Sequence, residues 1–141
     1  MCSYRSHKLA ACSYDARMAR GKLAFRFKAL TVACSDLARS RRFYQTVLGA
    51  VPVKTPDGIG CPWFRLGSFV FTLMPGAGAP SPAEYMTHAA YVPWLEVEDL
   101  AAARQRFARY KVAVIEDHEE SMVIADPDGL LIEVWQASGG P

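Results

Sequence analysis

Twice in this chain a short apolar run leads into Asp-Leu and then into an apolar-striped helix. Leu30 to Cys34 precedes Ser35, Asp36 and Leu37; Trp94 to Val97 precedes Glu98, Asp99 and Leu100, with the two aspartates 63 positions apart. Each helix carries an aromatic residue, and further strand-like runs follow each. Internal repetition is the strongest constraint on architecture, because each copy must bury its apolar face against a neighbour. Two copies are too few for a solenoid, which needs about three. They predict one domain with pseudo-twofold symmetry and a cleft between its halves.

The chain is large enough for this. Its 141 residues are 51% hydrophobic, sufficient to bury one core. No apolar run approaches the roughly 18 residues of a membrane span. No signal-peptide block opens the sequence, so a cytoplasmic protein with no membrane partner is expected. Cys2, Cys12, Cys34 and Cys61 show no CxxC spacing. They read as reduced thiols, forming neither a zinc site nor a disulfide framework.

The net charge of +2 is unevenly divided: residues 1–28 hold seven basic side chains against Asp15 alone, and the remainder holds nine basic against 13 acidic. The basic arm lacks a charge cluster and an aromatic-interleaved groove, so nucleic acid is not the expected partner. Residues 1–24 read as a poorly ordered extension, or as an upstream start with Met18 as the natural first residue.

The folded unit is expected over 25–141, with module one at 26–75, a linker at 76–88 and module two at 89–137. In module one, 26–34 reads as a strand, and Ser35 or Asp36 caps a helix that Gly49 ends. Residues 50–55 form a second strand, and Pro56 to Gly58 turn the chain. Runs 63–66 and 69–74 make a hairpin closed by Gly67-Ser68, a two-residue loop with glycine first. The Pro- and Gly-rich run from Pro75 to Pro82 is linker by composition. Module two repeats the order: a strand at 91–97, a helix from Asp99 to Tyr110 with Leu100, Ala103 and Phe107 inward, and a strand at 112–115. A hairpin of 122–125 with 130–135 follows, turned by Asp126-Pro127-Asp128-Gly129. The fold class is α+β, two βαβββ modules forming a pseudo-twofold, cleft-bearing mixed sheet.

Ser35-Asp36-Leu37, Phe43-Tyr44 and Leu48-Gly49, closed at the far end by the pattern D-P-D-G-L-L-I-E from Asp126 to Glu133, resemble the vicinal oxygen chelate superfamily. That superfamily includes glyoxalase I, extradiol dioxygenases, fosfomycin-resistance enzymes and bleomycin-binding proteins. The resemblance covers residues 27–137. It implies a metal ligand seven residues before each helix-opening aspartate and one on the last strand of each module, positions that fall on Ala29, Thr72, Val92 and Glu133. A divalent metal needs three or four converging His or carboxylate donors, and only Glu133 is one. No metal and no cofactor is therefore expected. His88 and His118 read as loop residues, and the acidic run Glu116–Glu120 lacks the glycine-broken spacing of a calcium loop.

Strand parity places the candidate site. Alternate side chains face opposite sides of a sheet, so the face carrying Ala29, Thr72, Val92 and Glu133 also carries Thr31, Ala33, Val70, Met74, Trp94, Glu96, Leu131 and Trp135. Pairing around Gly67-Ser68 sets Arg65 opposite Val70 and Trp63 opposite Thr72. Pairing around Pro127-Asp128 is expected to set Ile124 opposite Leu131 and Met122 opposite Glu133. In the superfamily this face is the cleft, so the resemblance implies a cleft of Trp63, Arg65, Thr72, Met74, Trp94, Glu96, Met122, Glu133 and Trp135, which suits a flat, cationic organic molecule. Indoles stack aromatics and attract cations, methionines adapt to shape, and Glu133 supplies counter-charge.

The leading expectation is a metal-free small-molecule binder, similar to the antibiotic-resistance members that sequester a drug, working as a homodimer. The alternative is an enzyme of the same superfamily, of lyase, dioxygenase or isomerase type, with Glu133 as general acid or base or with a relocated metal site. A third reading, a nucleic-acid-associated or interaction module, rests on the basic arm alone. Whether the modules pair within one chain or exchange between chains stays open. A nucleophile triad is absent, since His7, His88 and His118 all fall in expected loops.

Overall fold

The computed structural model describes residues 28–55, 60–76 and 91–137. The extension 1–24, the turn at Pro56 to Gly58, most of the linker, and His7 and His88 lie outside the described residues. Within them the repeat is realised as two four-stranded sheets. The first comprises β1 (Leu30–Cys34), β2 (Val51–Val53), β3 (Trp63–Leu66) and β4 (Phe69–Pro75), in the order β1-β4-β3-β2. The second comprises β5 (Trp94–Val97), β6 (Ala113–Asp117), β7 (Ser121–Ala125) and β8 (Leu131–Gln136), in the order β5-β8-β7-β6. In each sheet the first strand lies parallel to the last and the other pairs are antiparallel.

The helices begin where an acidic acceptor meets free backbone N–H groups. Asp36 Oδ1 accepts from Arg39 N at 3.0 Å to open α1 (Leu37–Arg42). Asp99 Oδ1 accepts from Ala102 N at 2.8 Å to open α2 (Leu100–Arg109). Gln136 Oε1 adds a second acceptor for that end, 2.9 Å from Leu100 N. The first helix does not run as one α-helix to Leu48. It widens into a π-turn over Phe43–Val47, where Leu48 N reaches the Phe43 carbonyl at 3.3 Å, and Gly49, at φ 78°, turns the chain away. The wider turn seats Phe43, Tyr44 and Val47 in the core together.

Both helices cover one face of their sheets, and the two modules share a single core. Val32, Phe43, Tyr44, Phe64, Phe71 and Leu73 of the first module join Leu100, Phe107, Ile124, Ile132 and Val134 of the second. The modules therefore associate within one chain through the helix-covered faces of their sheets, which turns the other face of each sheet away from this core.

At the end of α2, Lys111 takes φ 55°, while Val112 N bonds the Phe107 carbonyl at 2.9 Å. A left-handed residue after a helix is a position where glycine avoids the Cβ clash. Lys111→Gly should raise stability by about 0.5–1 kcal/mol, read as a rise in thermal midpoint of a few degrees. A fall in midpoint would show that the lysine side chain contributes more than its backbone costs.

Candidate functional site

The two outward faces carry the residues expected to form the site. On the first sheet the register follows the sequence reading: Trp63 lies opposite Thr72, Arg65 opposite Val70, Thr31 beside Thr72 and Ala33 beside Met74. The glycine-first loop fixes this pairing. Arg65 and Met74 are exposed, but Thr72 is buried, and its hydroxyl donates to the Pro62 carbonyl at 2.9 Å. The half-buried Trp63 encloses its indole N–H with no acceptor among the described residues.

On the second sheet Trp94 pairs with Glu133 and Glu96 with Trp135. Trp94 is 64% exposed and stacks on Trp135, with centroids 5.5 Å apart and planes at 28°. The Trp135 indole N–H donates to Glu133 Oε2 at 3.0 Å, which fixes the carboxylate and leaves its other oxygen outside that bond. Farther along the same face the sheet is closed, because Val123, Ala125 and Leu131 are buried together under the half-buried Val92.

Met122 belongs to neither face. It lies opposite Val134, with Val123 opposite Glu133 and Ile124 opposite Ile132. The reason is the length of the turn. Asp126 N bonds the Leu130 carbonyl at 2.9 Å, closing a five-residue loop with Gly129 at φ 91°, one residue longer than the four-residue turn read from the sequence. A one-residue slip in register moves every side chain to the opposite face. Met122 is accordingly a core residue, 1% exposed.

The remaining eight candidates are thus held in two sets. An open groove between the modules, bordered by Leu48, Gly67, Phe69 and Phe107, takes in Trp94, Glu96 and Trp135. It does not include Trp63, Arg65, Thr72, Met74 or Glu133. His118 stands in the β6–β7 turn with its ring 3.1 Å from Glu116 Oε2.

The positions implied to hold a metal do not fit one. Ala29 and Val92 have no donor atom, the Thr72 hydroxyl is engaged by Pro62, and Glu133 stands alone. Among the described residues no group of three or more His, Cys, Asp or Glu side chains could hold a metal ion.

A second polar cluster, read in the sequence only as a turn, joins the modules. Asp128 accepts from the Ser35 backbone N–H at 3.0 Å and the Ser40 hydroxyl at 3.2 Å, and from the Ser35 hydroxyl. Arg39 Nη2 lies 3.1 Å away. Burial alone would push the Asp128 carboxyl up, but the Ser35 and Ser40 donors and the Arg39 charge together hold it below the usual carboxylate value. Asp126 behaves oppositely. Burial raises it, only partly offset by the Leu130 and Asp128 amides and by the Tyr44 hydroxyl at 3.0 Å. Tyr44, buried against that carboxylate, is pushed well above its ordinary value. The cluster bridges the modules, with Tyr44, Ser40 and Asp126 buried and Ser35 and Arg39 at the surface; its sequence signal was two aspartates flanking a proline in a turn.

Comparison with known proteins places this geometry. Residues 26–134 match the sequence profile of the Glyoxalase/Bleomycin resistance protein/Dioxygenase superfamily. Among solved structures, the fosfomycin resistance protein FosX from Listeria monocytogenes, complexed with Mn(II) and sulfate ion, superposes with a TM-score of 0.66 at 14% identity, over 83% of this chain and 94% of that one. FosX from Mesorhizobium loti gives 0.64 at 16% identity, over 83% and 96%. An integron cassette protein from V. cholerae gives 0.63 at 21% identity, over 82% and 98%. At these identities the likeness shows the fold. Comparison with curated proteins finds no match.

Proposed function

The chain belongs to the glyoxalase, bleomycin resistance protein and dioxygenase superfamily, and we propose that it binds flat organic cations without a metal. The observation that carries this reading is the exposed Trp94 indole stacked on Trp135, with Glu133 and Glu96 beside the two rings. Cation–π attraction contributes about 0.5–2 kcal/mol per favourable contact. A carboxylate fixed by the Trp135 N–H adds a charge that only cations use.

The bond from Trp135 to Glu133 also supports binding over acid–base catalysis, since it engages the carboxylate that an enzyme would need for proton transfer. The same proposal takes the protein to be a cytoplasmic homodimer. Among the described residues no helix is long and apolar enough to cross a membrane. The exposed Val51, Arg65 and Met74 on the open face of the first sheet supply a surface for a second copy.

Titration with phenylpyridine and with its N-methyl cation, at a pH where the parent is neutral, tests the proposal. The cation should quench tryptophan fluorescence saturably and bind more tightly than the parent, with EDTA making no difference. Glu133→Gln should weaken the cation by about tenfold, equivalent to about 1.4 kcal/mol, and spare the neutral parent. Absence of saturable binding at sub-millimolar concentration, or loss of binding with EDTA, would overturn it.

A further inference from the structure

The register of the second sheet sets two carboxylates as well as two indoles on one face. Trp94 lies beside Glu133 and Glu96 beside Trp135, so on one face the two indoles occupy one diagonal of a square and the two carboxylates the other. With strands about 4.8 Å apart and alternate residues about 6.6 Å apart along them, the carboxylate-bearing backbone positions are separated by about 8 Å. The indole diagonal is already closed, since Trp94 and Trp135 stack on each other at 5.5 Å. A flat ligand is therefore not inserted between them. The surface left open to such a ligand is the outer one, over the 64% exposed Trp94.

Among the described residues no ion pair reaches Glu96 or Glu133. Arg106 and Arg109 line the groove that takes in Glu96 but form no ion pair with it, and Arg106 is engaged with the Thr46 carbonyl at 2.6 Å.

Resting on the reading of this face as a cation site, we propose that its preferred ligands are flat dications, with the positive groups one biaryl length apart, one on Glu96 and one on Glu133. A monocation satisfies one carboxylate and leaves the other beside an aromatic surface with no counter-charge. The second charge is thus the basis of selection, and Glu96 is the residue that recognises it.

The test extends the phenylpyridine series on the same frame to methyl viologen, with affinities measured by calorimetry. Methyl viologen should bind at least about tenfold more tightly than N-methyl phenylpyridinium, and its affinity should fall more steeply with salt, as two ion contacts are screened rather than one. Glu96→Gln should lower the dication's affinity by about tenfold and bring the two affinities together. Equal affinities in the unmodified protein, or Glu96→Gln weakening both ligands by the same factor, would overturn the dication proposal while leaving a cation site intact. Failure of all three compounds to bind would overturn both.

Discussion

Replacing Asp128 with alanine should cost about 3 kcal/mol, because it removes the charged acceptor shared by the buried Ser40 hydroxyl, the exposed Ser35 amide and hydroxyl and the half-exposed Arg39. The carboxylate side chain is 3% exposed and receives the Ser35 amide, the Ser35 and Ser40 hydroxyls and Arg39. Domains of this size are stable by only about 5–15 kcal/mol, so the variant should melt far below the parent. Acidification should reproduce part of the loss. Since the folded-state value of Asp128 lies below its ordinary 3.8, its contribution is present above that pH and disappears as pH falls through the folded value. Asp126 has the opposite sign: its raised folded value means it takes up a proton in the folded protein first, so its burial costs most near neutrality and is relieved on acidification. Thermal melts against pH should therefore show a shallower acid loss in Asp128→Asn than in the parent. Melting of Asp128→Ala within a degree or two of the parent would show that the cluster does not hold the modules together.

Phe71→Ala should be at least as damaging, at about 3–5 kcal/mol, through the loss of buried ring area and the cavity left behind. Phe71 is 1% exposed and touches three rings, Tyr44 at 4.9 Å, Phe64 at 5.6 Å and Phe69 at 5.9 Å between centroids. Tyr44 leans on Phe71 with its ring while its hydroxyl reaches Asp126 in the other module. The cavity should therefore loosen the inter-module contact as well. Chemical denaturation of the single and double variants with Asp128→Ala checks this: the double loss should fall short of the two single losses taken together. Strict additivity would mean that core and cluster are independent.

The repeat, the capping aspartates and the alternation of β3, β4, β5 and β8 could all be read in the sequence, because each is a local rule of period or hydrogen bonding. What escaped was set by loop length and by distance. Met122 was misplaced because the sequence does not state how many of the residues around Asp126-Pro127-Asp128-Gly129 the turn consumes; Leu130 is spent in closing it. The π-turn at Phe43–Val47 has no compositional mark, since it answers the demand to seat three apolar side chains in a shared core. Likewise, the partition of the candidate site into two faces depends on how the modules meet. Strand parity could say that Trp63 and Trp94 share a type of face, but not that they share a pocket.

The link from Ser35 to Asp128 spans 93 positions of the chain. Such a contact rewards folding only after most of the polypeptide between its ends has been ordered, and loop closure over that span carries an entropic cost that grows as the logarithm of length. Each module's own hairpin and helix are far shorter in range and are free to assemble earlier. During synthesis the first module leaves the ribosome with the Ser35 amide and the Ser40 hydroxyl exposed, and their acceptor arrives almost a hundred residues later. A nascent chain halted after the first sheet is thus a half-molecule with an apolar helix side awaiting its complement, and the kinetic risk of this fold, aggregation or pairing with the wrong chain, is concentrated in that interval.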